Sequence, residues 1–250
     1  MSEAETTLGA APKRKRQRRQ RSTTPLALLL LSAGALAAFW AGAVPHSVNP
    51  LAPLDLSVPR PWFLDWRLAA LKHSRAQCEA TLRGPEIEAV TIPDQPYKTG
   101  CGWLNGVRLA SAGGAKVRAD ALTCETAAAL AMWMEHDVQQ AALQHLGTRV
   151  AAVQSMGTYA CRNIVGSSLW KDFRSQHATA NAIDIAGFTL ADGRRISIRK
   201  DWTGSGPEAQ FLRDIHHGAC RTFRVALGPD FNAAHHDHFH FDRGYFRSCK

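Results

Sequence analysis

Residues 175–188 read SQHATANAIDIAGF, and the second half of this stretch decides the fold. Ala182-Ile183-Asp184-Ile185-Ala186 is an apolar run holding a single acid, and Ile183 to Thr189 predicts a strand. A carboxylate in such a strand is buried. An unpaired buried charge is costly, so Asp184 requires a cation, a metal or several hydrogen bonds. His177 stands seven residues before it.

A second run, HHDHFHFD at 235–242, offers partners. Read as a strand over 236–242, it puts His236, His238, His240 and Asp242 on one face and turns Phe239 and Phe241 into the core. Neutral imidazoles with one carboxylate suit zinc, and a catalytic zinc site uses three protein ligands and a water.

The surrounding sequence gives both runs a setting. Thr123 to Leu146 predicts a helix, because Ala127, Leu130, Ala131, Met134 and Val138 recur at three and four and Gly147 stops it. Pro93 to Val107 has the turn residues that separate short strands. Arg149–Gln154 and Arg195–Ile198 are strand candidates, the latter entered through the turn 191–194. Pro207 to Phe223 predicts a helix with Phe211, Leu212, Ile215 and Ala219 on one face, leaving His216 and His217 on the surface. Phe223–Leu227 and 236–242 close the chain as strands. The expected class is α+β, a small, mainly antiparallel sheet with flanking helices.

The formal charge of +9 is local. Residues 13–21, KRKRQRRQR, hold seven of the thirty Lys and Arg, so 22–250 carry 23 basic against 19 acidic residues. A basic tail without a reading domain does not describe a nucleic-acid binder. Leu26 to Val44 follow without one charge, long enough to cross a ~30 Å hydrocarbon core. The basic cluster before this segment predicts a single-pass inner-membrane protein with a cytoplasmic N-terminus and a periplasmic C-terminal domain. Ala41-Gly42-Ala43 has the pattern of a cleavage site, but the length of the run favours an uncleaved anchor. The expected organisation is a basic tail at 1–25, an anchor at 26–44, a Pro-rich linker at 45–75 and a domain at 76–250. Trp62, Phe63 and Trp66, late in the linker, are expected to pack on the domain.

Six cysteines, Cys78, Cys101, Cys124, Cys161, Cys220 and Cys249, all follow the apolar segment, and none has the C-x2-C spacing of structural zinc. In an oxidising compartment they imply three disulfides. Proximity along the chain suggests Cys78–Cys101, Cys124–Cys161 and Cys220–Cys249.

S-x-H-x(6)-D followed by H-x-H resembles zinc peptidases of the lysostaphin, D-Ala-D-Ala metallopeptidase and hedgehog type. With GTYACRN at 157–163, DIAGF at 184–188 and ALGPDFNAAHHDHFHFD at 226–242, the chain is most similar to the bacterial extensin-like C-terminal domain family. The resemblance implies zinc held by His177, Asp184 and His240, with His238 as general base or as stabiliser of the tetrahedral intermediate. His235 matches a further active-site histidine of murein endopeptidases. Asp237 stands where D-Ala-D-Ala peptidases place a catalytic glutamate. Strand alternation points Asp237 away from His238 and His240, which favours His238 as base. Ser175 resembles a serine that supports the ligand histidine by a hydrogen bond, and Tyr159 and Arg162 fall where related enzymes contact substrate. The wider pattern has glycine where this chain has Ala180. A positive φ there would strain alanine, and Asn181 is the neighbour suited to take it. The implied activity is amide hydrolysis in peptidoglycan peptides. The competing reading is a non-catalytic cell-wall-binding or envelope-organising module of the same fold.

Overall fold

Thr123 starts the helix that organises the core. Its backbone is extended and its side chain accepts from the Thr126 N–H, ending a strand and capping a helix at once. The helix runs as α4 (Cys124–Trp133), a π-turn (Met134–Val138) and α5 (Gln139–Leu146), and Gly147 ends it at φ 71°. Every residue of α4 is buried. Trp133 is the hub: its indole N–H donates to the Ile215 carbonyl (2.8 Å), and its ring meets Phe188, Phe223 and Phe241.

The computed structural model describes residues 24–45, 49, 53–84 and 86–250. The basic tail up to residue 23 and residues 46–48 and 50–52 of the expected linker lie outside the described residues. The chain divides into two compact units, Met1–Pro45 and His46–Lys250. In the first, α1 spans Thr24–Trp40, 17 residues, so the apolar segment expected over 26–44 is helical only to Trp40. Among the described residues no helix is long and apolar enough to cross a membrane.

The second unit is mixed α+β. It opens with α2 (Leu64–Ala70) and α3 (Arg75–Thr81), followed by β1 (Glu88–Thr91), β2 (Gln95–Lys98), β3 (Cys101–Trp103), β4 (Gly106–Ala112) and β5 (Ala115–Thr123). After α4 and α5 come β6 (Val150–Gly157), β7 (Ala182–Leu190), β8 (Arg195–Ser197), α6 (Ile198–Asp201), α7 (Pro207–Thr222), β9 (Val225–Leu227), β10 (Phe239–Asp242) and β11 (Ser248–Cys249). The main sheet has nine strands in the order β1-β4-β5-β6-β7-β10-β9-β11, with β8 also on β7, and β2-β3 form a separate pair. It is larger than the small sheet expected, because the β4–β5 hairpin was not among the expected strands. Its pairing is antiparallel except at β5–β6 and β9–β11. Gly187 in β7 is required by close approach, since a Cβ there would lie 2.2 Å from the Ile196 carbonyl oxygen on β8.

Four expectations are corrected. The last histidine run is strand only from Phe239, and residues 233–235 form a 3-10 turn. The disulfides join Cys78–Cys124, Cys101–Cys161 and Cys220–Cys249, so only the last agrees with proximity along the chain. The short β2–β3 pair carries Cys101 away from α3 and towards the segment after β6. Trp62, Phe63 and Trp66 are exposed and do not pack on the domain. His216 lies on the buried side of α7, against Trp202 and Phe239, while His217 is exposed as expected.

Candidate metal centre

β7 and β10 are antiparallel neighbours, and their register sets Asp184 opposite His240. Phe239 and Phe241 are fully buried on the other face, so alternation fixes His240 on the face of Asp184. His177 reaches the same point from a 3-10 turn, Gln176–Thr179, where the Ser175 hydroxyl accepts the His177 backbone N–H (3.3 Å). Ser175 therefore supports the backbone of His177 and not its ring.

The turn closes on Ala180 with φ 52° and ψ 30°. The left-handed residue is Ala180 itself and not Asn181, and the partners of Asn181 give the reason. The Asn181 side-chain oxygen accepts from the hydroxyls of Thr123 (2.9 Å) and Thr126 (2.8 Å), and its amide donates to Gln176 (2.9 Å). That clamp fixes Asn181 against the start of α4, and the reversal falls one residue earlier.

Three donor atoms converge. His177 Nε2 lies 3.1 Å from Asp184 Oδ2 and 3.2 Å from His240 Nδ1, and His240 Nδ1 lies 2.9 Å from Asp184 Oδ1. The far nitrogen of each ring is also held. His177 Nδ1 donates to the Thr158 carbonyl (3.2 Å), and His240 Nε2 donates to Asp242 Oδ2 (3.1 Å). In neutral rings these partners leave His177 Nε2 and His240 Nδ1 as lone-pair nitrogens aimed at Asp184, whereas a protonated ring donates to that carboxylate instead. The neutral arrangement is how metal-ligating histidines are oriented. His177, Asp184 and His240 form a group that could hold a metal ion. A second geometric group, His216 with Cys220 and Cys249, does not qualify, because the two sulfurs are bonded to each other.

Charge agrees with geometry. Burial works against the ionised form of Asp184, but hydrogen bonds from His177 and His240 outweigh it and hold the carboxyl far below its usual range. Burial also opposes the proton on His240, and Asp184 and Asp242 outweigh it, raising that pKa to about 9.

His238 stands before β10, its Nδ1 donating to Asp237 Oδ1 at 2.9 Å and its Nε2 3.9 Å from Asp184 Oδ1. The expectation that Asp237 points away from His238 fails, because alternation does not apply in a turn. The hydrogen bond from His238 holds Asp237 below the usual carboxylate range. His235 Nδ1 donates to Asn232 Oδ1 (2.7 Å), and its ring lies 5.3 Å from His238 and 5.8 Å from His240. Burial, then the charges of His240 and His238, push His235 down to about 4. His236 is exposed and meets the group only through Asp237, its Nε2 3.8 Å from Asp237 Oδ2. Arg162 has no ion pair among the described residues, and its charge acts on His235. Tyr159 lies further along, its ring 4.8 Å from Trp103 and its hydroxyl accepting from Gln95 (3.0 Å).

The structure thus gathers His177, Asp184, His240, His238, Asp237 and His235, with Ser175 and Arg162 beside them. A family model for the extensin-like protein C-terminus matches residues 76–250. The chain belongs to this family. No curated protein and no solved structure matches it. The extensin-like domain so bounded contains all six cysteines and every residue of the site. Thr158, Asp242 and Asn232 were missed as orienting groups. Thr158 acts through a backbone carbonyl and leaves no side-chain signature. Asp242 could have been found, since alternation already set it on the face of His240.

Proposed function

We propose that this extensin-like domain is a zinc-dependent hydrolase of amide bonds in peptidoglycan peptides, carried in the periplasm by an inner-membrane anchor at 26–44. The observation that supports it most is the meeting of His177 Nε2, Asp184 and His240 Nδ1 within 3.2 Å, each ring held from behind. Two imidazoles and one carboxylate are a donor set that zinc accepts with a position left open. Bound there, zinc supplies Lewis acidity that activates water and polarises an amide carbonyl. The chain's own groups supply the proton path. Asp237 fixes Nδ1–H of His238, which leaves Nε2 to take a proton from the attacking water and return it to the leaving amine as the C–N bond breaks. His235, neutral at pH 7, lines the site, and Arg162 offers a charge to a substrate carboxylate. Export is supported by three disulfides and by the charge-free run behind a basic cluster.

The test is incubation of the zinc-loaded full chain with purified peptidoglycan and chromatography of the soluble products. New peptide fragments are expected from the wild type, with a loss of at least about 100-fold in His238→Ala at unchanged zinc content. Equal release by wild type and His240→Ala, or no release with zinc bound, would refute hydrolysis; the latter would leave a cell-wall-binding module.

A further inference from the structure

β6 carries more than the support for the metal centre. Thr158, just past its end, holds His177 on one side and lines a cleft of about 740 Å³ on the other. None of the three candidate ligands lines that cleft. One wall is aromatic and fixed in place. Trp103 and Tyr159 meet edge to face at 4.8 Å; the Trp103 indole donates to the Pro93 carbonyl (3.1 Å), and the Tyr159 hydroxyl accepts from Gln95. The Cys101–Cys161 disulfide joins the two segments that carry these rings. Gly106 admits no side chain, since a Cβ would fall 2.4 Å from the Trp103 ring.

The floor is charged and unpaired. Arg108 on β4 and Arg118 on β5 line the cleft, are exposed, and form no ion pair among the described residues. Asp120, two residues after Arg118, lines it too and is likewise unpaired. The other acid there, Asp94, is engaged by Arg75 (2.7 Å) and the Asn105 N–H. Two guanidinium groups and one free carboxylate leave a net charge of +1. That balance suits a single carboxylate with an amine or amide N–H nearby, and it is too weak for a polyanion.

We infer that this cleft is the subsite that grips a carboxylate-bearing arm of a peptide substrate: Arg108 and Arg118 take the carboxylate, Asp120 takes a neighbouring N–H, and the Trp103–Tyr159 wall covers the apolar remainder. The inference rests on the proposed hydrolase reading, and the metal centre then acts on a bond reached past Thr158.

The experiment uses the zinc-loaded full chain in detergent and two soluble probes: a stem-type peptide with a free side-chain carboxylate and the same peptide as its carboxamide. Binding is read from tryptophan fluorescence, cleavage from chromatography, and both are repeated with the Arg108→Gln/Arg118→Gln double variant. The wild type should prefer the carboxylate peptide at least about tenfold, and the variant should lose that preference with unchanged zinc content. Equal affinity of the wild type for both probes, no binding of either, or wild-type affinity in the variant would each overturn the inference. Selective binding without cleavage would leave the subsite standing and remove the hydrolase reading. Cleavage with wild-type KM in the double variant would do the reverse.

Discussion

His240 sits between two carboxylates, and that placement sets a proton against a metal. Burial of the ring is outweighed by Asp184 on Nδ1 and Asp242 on Nε2, and the pKa rises to about 9. The metal-free protein therefore keeps an imidazolium at neutral pH, and a cation has to displace its proton. Zinc affinity should rise about tenfold per pH unit between pH 6.5 and 8.5, with about one proton released per ion at pH 7. Competition against a chelator at several pH values, with potentiometry for the proton, checks both. In Asp242→Asn the slope should flatten at lower pH, and a wild-type affinity independent of pH would refute the assignment. Stability of the metal-free protein follows the opposite course. A raised folded pKa gives a contribution that is complete below the ordinary 6.5 and lost as pH rises through about 9.

At the scale of elements, the end of β10 is tied down by one buried cation. Arg243 is 1% exposed and binds Glu125 at the start of α4 (2.8 Å), Asp65 on α2 (2.7 Å) and the Thr222 carbonyl at the end of α7 (2.9 Å). Arg243→Ala leaves Glu125 buried with only Lys72 (2.7 Å), so a loss of about 3–5 kcal/mol is expected in denaturant titration. Glu125→Ala/Arg243→Ala should recover part of it, and a single-variant loss below about 1 kcal/mol would show that the cluster does not bind these elements together. The same elements show what the sequence made legible. Helix 123–146 and the Asp184 strand could be read because their apolar residues keep one period, and Phe239 and Phe241 placed His240 correctly. The β4–β5 hairpin was overlooked although VRL and AKVRADAL alternate about Gly113-Gly114, because half of its buried apolar residues are alanines with weak contrast. Residues 236–238 were drawn as strand because three polar residues in a row carry no period to mark where the strand begins. Two of the three disulfides were mispaired because the β2–β3 turn, not chain proximity, decides where Cys101 arrives.

For the molecule as a whole, acid weakens the packing of helix on sheet. His216 on α7 lies against Trp202, Phe239 and Phe241, and burial, reinforced by the charge of His217, pushes its pKa down to about 4. The unfolded chain binds a proton near 6.5 that the folded chain refuses. The stability from the neutral ring is therefore complete above pH 6.5 and is lost as pH falls through about 4, a change of about 3 kcal/mol. His235, lowered to about 4 as well, adds a loss in the same window, whereas His240 is protonated in both states there and adds none. His216→Phe keeps an aromatic ring among the three it touches and removes the titration. Denaturant midpoints of wild type and variant, measured from pH 7.5 to 4, should diverge only below pH 6.5, the variant losing about half as much as the wild type. Parallel curves over that range would mean that the buried imidazole of α7 is not what couples acid to unfolding.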